Sequence, residues 1–211
     1  EFITERWTHI LADSWQHLSL VVQCLILATI IAVVCAALSY QHPRLAALAN
    51  NVSTVGLTIP SFALVGILII PFGFGVLPAV IVVTFFATLP ILRNAVVGLS
   101  EVDSNIVSAA RGIGMSRFDT FFRVELPLAW PVILAGMRVS AQMTMGIAAV
   151  AAYALGPGLG GYIFSGLSRL GGANSFESVA TGVIAVVILA LLLDLALILL
   201  GRFTISRGIR V

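Results

Sequence analysis

Between Arg44 and Arg93 the chain runs for 48 consecutive residues without Asp, Glu, Lys or Arg, and between Arg138 and Arg169 for another 30. A soluble domain carries about a quarter charged residues, spread so that every part of its surface meets water. Here 9% of the 211 residues are charged, and all 11 basic ones are arginine. Such a chain is not a soluble enzyme, a disordered tail or a nucleic-acid binder with a basic face. Its net charge of +2 is too small to attract a polyanionic partner. The medium that suits it is a lipid bilayer. Crossing the hydrocarbon takes about 20 apolar residues as a helix, or about 10 alternating ones as a barrel strand. The long runs of Leu, Ile, Val and Ala do not alternate. The expected fold is therefore all-α, a polytopic membrane helical bundle of roughly five transmembrane helices.

Residues 1–17 read as an interfacial amphipathic helix. Ile3, Trp7, Ile10 and Leu11 share one face, Glu5, Arg6, His9, Asp13 and Gln16 spread over the rest, and Trp7 and Trp15 suit the headgroup layer. The N-terminus lacks the basic start and short apolar core of a secretory signal, so no cleaved leader is expected within these residues. The membrane domain is expected over 18–202, with a basic cytoplasmic tail over 203–211. Its spans are expected at about 18–38, 45–70, 77–97, 131–155 and 179–200. Pro60 should kink or break the second span. Residues 71–75 make a tight hairpin, Gly156-Pro157-Gly158 stops the fourth span, and Gly160-Gly161 and Gly171-Gly172 mark a flexible loop. Cys24 and Cys35 fall on one helix about 16 Å apart, out of disulfide reach, and are expected as buried apolar fillers. His9, His17 and His42 are expected outside the hydrocarbon and lack metal-site spacing, so no metal is expected.

Counting arginines orients the chain. With the 93–130 segment cytoplasmic, Arg44, Arg93, Arg111, Arg117, Arg123, Arg138, Arg202, Arg207 and Arg210 lie inside, against Arg6 and Arg169 outside. The N-terminus is therefore expected outside and the C-terminus in the cytoplasm.

The cytoplasmic loop 98–127 is long and patterned. Asp103 or Ser104 caps a helix with apolar Ile106, Val107, Ala109, Ala110 and Ile113, and Gly114 ends it. Ser116-Arg117-Phe118-Asp119 is a capping-box pattern that starts a second short helix bearing Phe118, Phe121 and Phe122. Leu126-Pro127 should stop that helix and launch the fourth span. Two readings fit: a docking knob for a soluble partner with aromatic anchors, or an interfacial helix pair resting its phenylalanines among headgroups.

Ser108-Ala109-Ala110, then Gly114, Val124 and Leu126-Pro127, resembles the EAA loop of bacterial ABC importer permeases: Glu-Ala-Ala, three residues, Gly, nine residues, Ile, one residue, Leu-Pro. The spacing matches throughout, while Ser108 replaces the Glu and Val124 the Ile. Thr58-Ile59-Pro60-Ser61-Phe62, residues 89–94, residues 125–131 and Gly156-Pro157-Gly158-Leu159-Gly160 resemble the osmoprotectant type, for glycine betaine, carnitine and choline. Methionine importers share parts of these patterns. The resemblance implies a type I permease fold with cytoplasmic coupling helices, and an ATPase-docking site at Ser108, Ala109, Ala110, Gly114, Arg117, Phe118, Phe121, Leu126 and Pro127. It also implies a cytoplasmic ABC ATPase, a second permease subunit and an extracytoplasmic substrate-binding protein, for which this chain has no room. No phosphate-cradling Gly-rich loop with Lys occurs here, so ATP and Mg are expected on the partner. No catalytic residue or cofactor is expected in this chain, which would work in the bacterial inner membrane by alternating access.

Pro60, Ser61, Gln142 and Thr144 are the candidate translocation-pathway residues, against the plainer readings of a packing kink and interhelical hydrogen bonds. Asp194, about 12 Å before Arg202 along a helix, is expected to make a structural pairing ahead of a substrate contact. For a quaternary-ammonium head the spans offer Phe62, Phe85, Phe86 and Tyr153 as aromatic faces. A self-contained secondary carrier would need inverted repeats and intramembrane ion ligands, and the chain shows no clear repeat.

Overall fold

Neither glycine nor proline occurs between Phe2 and Ser39, so nothing in that stretch removes a helical hydrogen bond or loosens the backbone. In the computed structural model, which describes residues 2–154 and 156–205, it forms one helix, α1 (Phe2–Ser39, 38 residues). At 1.5 Å per residue this is about 57 Å long, well beyond the ~30 Å hydrocarbon core. The residues expected as an interfacial helix, from Phe2 on, and the first span are thus continuous in one helix. His17, expected outside the hydrocarbon, is wholly enclosed in the bundle, and its Nε2–H donates to the Met145 carbonyl at 3.1 Å. Further along, Val21, Cys24, Ala28, Ala32 and Ala36 form the buried stripe of α1 at helical spacing. Cys24 is buried as expected, but Cys35 is exposed on the outer side.

The second span is broken outright. Helices α2 (Pro43–Gly56) and α3 (Ser61–Phe72) meet at an angle of 93°. Pro60 caps the start of α3 with an extended backbone and has no N–H to continue a helix. Gly73 and Gly75, both at positive φ, then turn the chain into α4 (Val76–Ser100).

After the loop come α5 (Ser104–Gly112), α6 (Arg117–Thr120), a five-residue π segment (Phe121–Glu125) and α7 (Leu126–Ala151) with a short 3-10 end at Ala152–Ala154. From Arg117 to Ala154 these form one helical run of 38 residues. Leu126-Pro127 does not stop the helix. Proline clashes with the carbonyl four residues back in an α-helix; here the chain widens to a π turn just before it, and the Leu126 N–H bonds Phe121, five residues back. The expected flexible loop at Gly160-Gly161 is instead α8 (Gly160–Leu167), folded tightly on α9 (Ser175–Thr204). A Cβ on Gly166 would lie 2.5 Å from Val179, so glycine permits this close approach. Ser178 and Ser175 donate to the Tyr162 and Gly166 carbonyls at 2.8 and 2.9 Å.

Helices 2–39, 76–100, 117–154 and 175–204 are each long and apolar enough to cross a membrane, and the bent α2–α3 pair counted as one makes a fifth. The core sits where α4 meets α7. Gly98 and Gly136 set the crossing, since a Cβ on Gly136 would come within 2.8 Å of Asn94 and one on Gly98 within 3.0 Å of Val132. Ser140 adds an interhelical bond to the Ala87 carbonyl at 2.8 Å. α9 lies at the periphery, with Ile184, Val187, Ile188, Leu191, Leu192 and Leu195 exposed on its outer face. The helix extends to Thr204, into the expected tail, and residues 206–211 lie outside the described residues.

Candidate functional site

The loop between α4 and α7 builds a knob from local signals. Asp103 caps α5 by accepting the Asn105 N–H at 2.8 Å. Gly114, at φ +93, closes α5 with two bonds, Gly114 N–H to Arg111 and Met115 N–H to Ala110, the pairing that ends helices on a left-handed residue. Ser116 then caps α6 by accepting the Asp119 N–H at 3.1 Å. Arg123 and Asp119 pair at 3.5 Å one turn apart on the exposed side. Both expected short helices are thus present, α6 running on into the π segment.

The docking candidates divide by exposure. Ser108, Ala109, Gly114, Arg117, Phe118 and Pro127 are exposed; Phe121 and Leu126 are half-buried; Ala110 is buried. Phe118 is 71% exposed and Ile113, which the docking set omits, 82%. Apolar side chains this bare at the tip of a capped knob form an exposed apolar patch. Phe118 rests on Phe122 (ring centroids 4.4 Å), Phe122 on Phe121 (5.0 Å), and Phe121 on Tyr40 (6.5 Å). Phe118 and Phe122 are therefore the outer rings of this series, and Phe121 faces inward. The i, i+4 spacing of Phe118 and Phe122 carried that information.

At the root of the knob, Glu125 is 4% exposed and accepts the Tyr40 hydroxyl at 2.8 Å. Burial, with the Glu125 carboxylate next in weight, pushes the Tyr40 phenol up to about 12.

The pathway candidates do not converge on one face. Pro60 is exposed at the break and Ser61 half-buried beside it. Thr144 is fully buried, its hydroxyl donated to the Ser140 carbonyl at 2.7 Å. Gln142 is exposed, one turn beyond Arg138. Arg138 binds Asp194 within the chain, so Arg138 sits inside a span and leaves the loop-arginine count, of which Arg207 and Arg210 lie outside the described residues. Phe62 and Tyr153 meet at 4.9 Å and Tyr153 reaches Phe164 at 5.6 Å, whereas Phe86 is buried with Phe85 against it.

The described residues thus form an all-helical bundle with a broken span and a capped knob between two long apolar helices. Residues 28–205 match the family described as binding-protein-dependent transport system inner membrane component, and the chain belongs to that family. It is 36% identical to a carnitine transport permease protein of Listeria monocytogenes, over 93% of this chain and 88% of the relative. It is 37% identical to an osmoprotectant import permease protein of Salmonella typhimurium, over 93% and 92%, and 31% identical to a choline transport system permease protein of Bacillus subtilis, over 100% and 95%. A solved structure of inward-facing conformations of the MetNI methionine ABC transporter superposes with a TM-score of 0.79 at 19% identity, covering 96% of this chain and 99% of that one. The fold is thus the type I permease fold. The chain is a multi-pass inner-membrane transport subunit and not an enzyme, and its family implies an ATPase and a substrate-binding protein as partners.

Proposed function

We propose that this chain passes a quaternary-ammonium osmoprotectant of the glycine betaine, choline or carnitine type inward, driven by a cytoplasmic ABC ATPase docked on the 104–124 knob. The observation that carries the reading is the knob itself: bare Phe118, Phe122 and Ile113 lie on two capped helices fused to a rod that enters the core. ATP and Mg belong to the partner, and this chain turns the partner's cycle into rocking of packed helices. Resemblance at 31–37% identity to permeases named for carnitine, choline and osmoprotectants supports the substrate class. The Phe62–Tyr153 pair, beside the Pro60 break, offers aromatic faces to a cationic head.

A second permease subunit covers the broken span. Asn51 and Thr54 are exposed on α2 and Thr58 just beyond it, and the enclosed Asn50 side-chain oxygen Oδ1 and Ser53 hydroxyl have no hydrogen-bond partner among the described residues. Polar groups of this kind are costly against lipid and are at home against protein or a water-filled path. Pro60 and Gln142 are the exposed pathway candidates, and Ser61 is half-buried at the break. The N-terminus lies outside and the C-terminus in the cytoplasm, which keeps Arg111, Arg117 and Arg123 of the knob on the positive side.

The test is gentle extraction of the complex and assay of its ATP hydrolysis. Hydrolysis by a co-purified subunit that rises with a binding protein plus glycine betaine is the expected result. Stimulation by methionine instead would overturn the substrate, and a chain that purifies alone from a complex known to survive the detergent would overturn the docking.

A further inference from the structure

Among the described residues Glu125 is the one acidic side chain that is almost wholly enclosed. Burying a carboxylate is unfavourable unless hydrogen bonds compensate, and an apolar residue would pack two helices together at less cost. Its partner is Tyr40, 85 residues earlier, which lies just past the end of α1 and donates its hydroxyl to Oε2 at 2.8 Å. Gln41 donates to the same Tyr40 oxygen at 2.6 Å. Glu125 is also the last residue of the π segment, a turn type found frequently at functional sites. On the other side, the stacked rings Phe118, Phe122 and Phe121 lead from the exposed tip of the knob back to the Tyr40 ring. One polar joint therefore connects the knob, the wide turn beneath it and the end of α1.

We infer that the Tyr40–Glu125 hydrogen bond is the joint through which movement of the knob reaches α1, and that both are positioning residues for coupling ATP hydrolysis to uptake. This rests on the reading of the knob as an ATPase dock. A docked partner pulls on Phe118 and Phe122; Phe121 and Glu125 move with the rod; Tyr40 takes α1 along. Without the bond, the rod swings and α1 stays behind.

The experiment uses the complete complex with its ATPase and binding protein in sealed vesicles, reading labelled glycine betaine uptake and ATP hydrolysis together. Tyr40→Phe and Glu125→Leu should assemble and hydrolyse ATP but lose uptake per ATP by about fivefold or more, the lower range of an inter-site coupling. Glu125→Gln, whose amide oxygen still accepts the phenolic hydrogen, should restore most of it. The double variant should be no worse than either single one. Wild-type uptake per ATP in Tyr40→Phe overturns the inference. So does a proportional fall of uptake and hydrolysis with the amount of complex, which is what a purely structural contact would give. Wild-type vesicles without ATP-driven glycine betaine uptake would overturn the proposed substrate, and would do so before any variant is compared.

Discussion

Arg138 on α7 and Asp194 on α9 share two parallel hydrogen bonds, Nε to Oδ1 at 2.8 Å and Nη2 to Oδ2 at 3.0 Å. The planar guanidinium meets the carboxylate fork to fork, the strongest geometry open to such a pair. The pair ties α9 to α7 across the bundle. The Trp130 indole N–H also ties α7 to the end of α9, donating to Thr204 at 2.8 Å.

Asp194→Asn leaves the arginine without its countercharge and should lower the thermal midpoint of the detergent-extracted protein, at a cost of about 1–3 kcal/mol. Replacing both partners with leucine and methionine should recover most of the loss, since matched apolar residues escape the desolvation of the charges. A double variant as unstable as the single one would refute this account.

Phe118→Asp should abolish capture of the ATPase while insertion and extraction of the permease continue normally. A carboxylate at an anchor 71% exposed in the free chain would be buried without a partner in the docked state. Loss of a central anchor weakens an interface by about 2 kcal/mol or more, about thirtyfold. Co-purification of the ATPase with the tagged variant measures it directly.

How much of this was legible in the sequence depended on distance along the chain. The charge-free runs, the Pro60 break, the Asp103 and Ser116 caps and the Gly114 stop are local signals, and the structure places each where the residues indicated. Partnerships across the bundle carry no such signal. Arg138–Asp194 are 56 residues apart and Tyr40–Glu125 85, and only the packing register brings them together. Two local rules were overridden by packing. Gly160 and Gly161 read as loop, yet they start α8: Gly160 sits against the end of α7, where a Cβ on it would fall on the Ala149 carbonyl, and the same helix packs closely on α9 through Gly166. Pro127 reads as a helix stop, but a wider turn absorbs it. The continuity of α1 overrode polarity in a third way, because nothing in 2–39 can end a helix.

Gly136→Leu should disrupt the centre of the bundle. A Cβ there already meets the Asn94 Cβ at 2.8 Å, and the added side chain has to push α4 away from α7. Overpacking of this kind costs about 1–3 kcal/mol. The yield of folded, monodisperse protein should fall accordingly, whereas Gly66→Leu, with open space around it, should be tolerated.

Phe62→Ala and Tyr153→Ala should each raise the substrate concentration giving half-maximal uptake, with ATPase docking unchanged. A cation on an aromatic face gains about 0.5–2 kcal/mol, or roughly two- to thirtyfold in affinity. Phe62→Trp should preserve or sharpen uptake. The measurement is initial-rate uptake of labelled choline or betaine, and unchanged half-saturation in both alanine variants would remove these rings from the path.

The π segment at Phe121–Glu125 fixes the azimuth of the knob on its rod. It holds one more residue than an α turn, and each residue of helix is worth about 100° of rotation. Deleting a single residue from 121–125 would make the rod uniformly α and swing Phe118 about a quarter of a revolution around its axis, with every span left in place. A chimera that joins this membrane domain to a relative's knob must therefore keep count through this turn, because the compass bearing of the dock is set there.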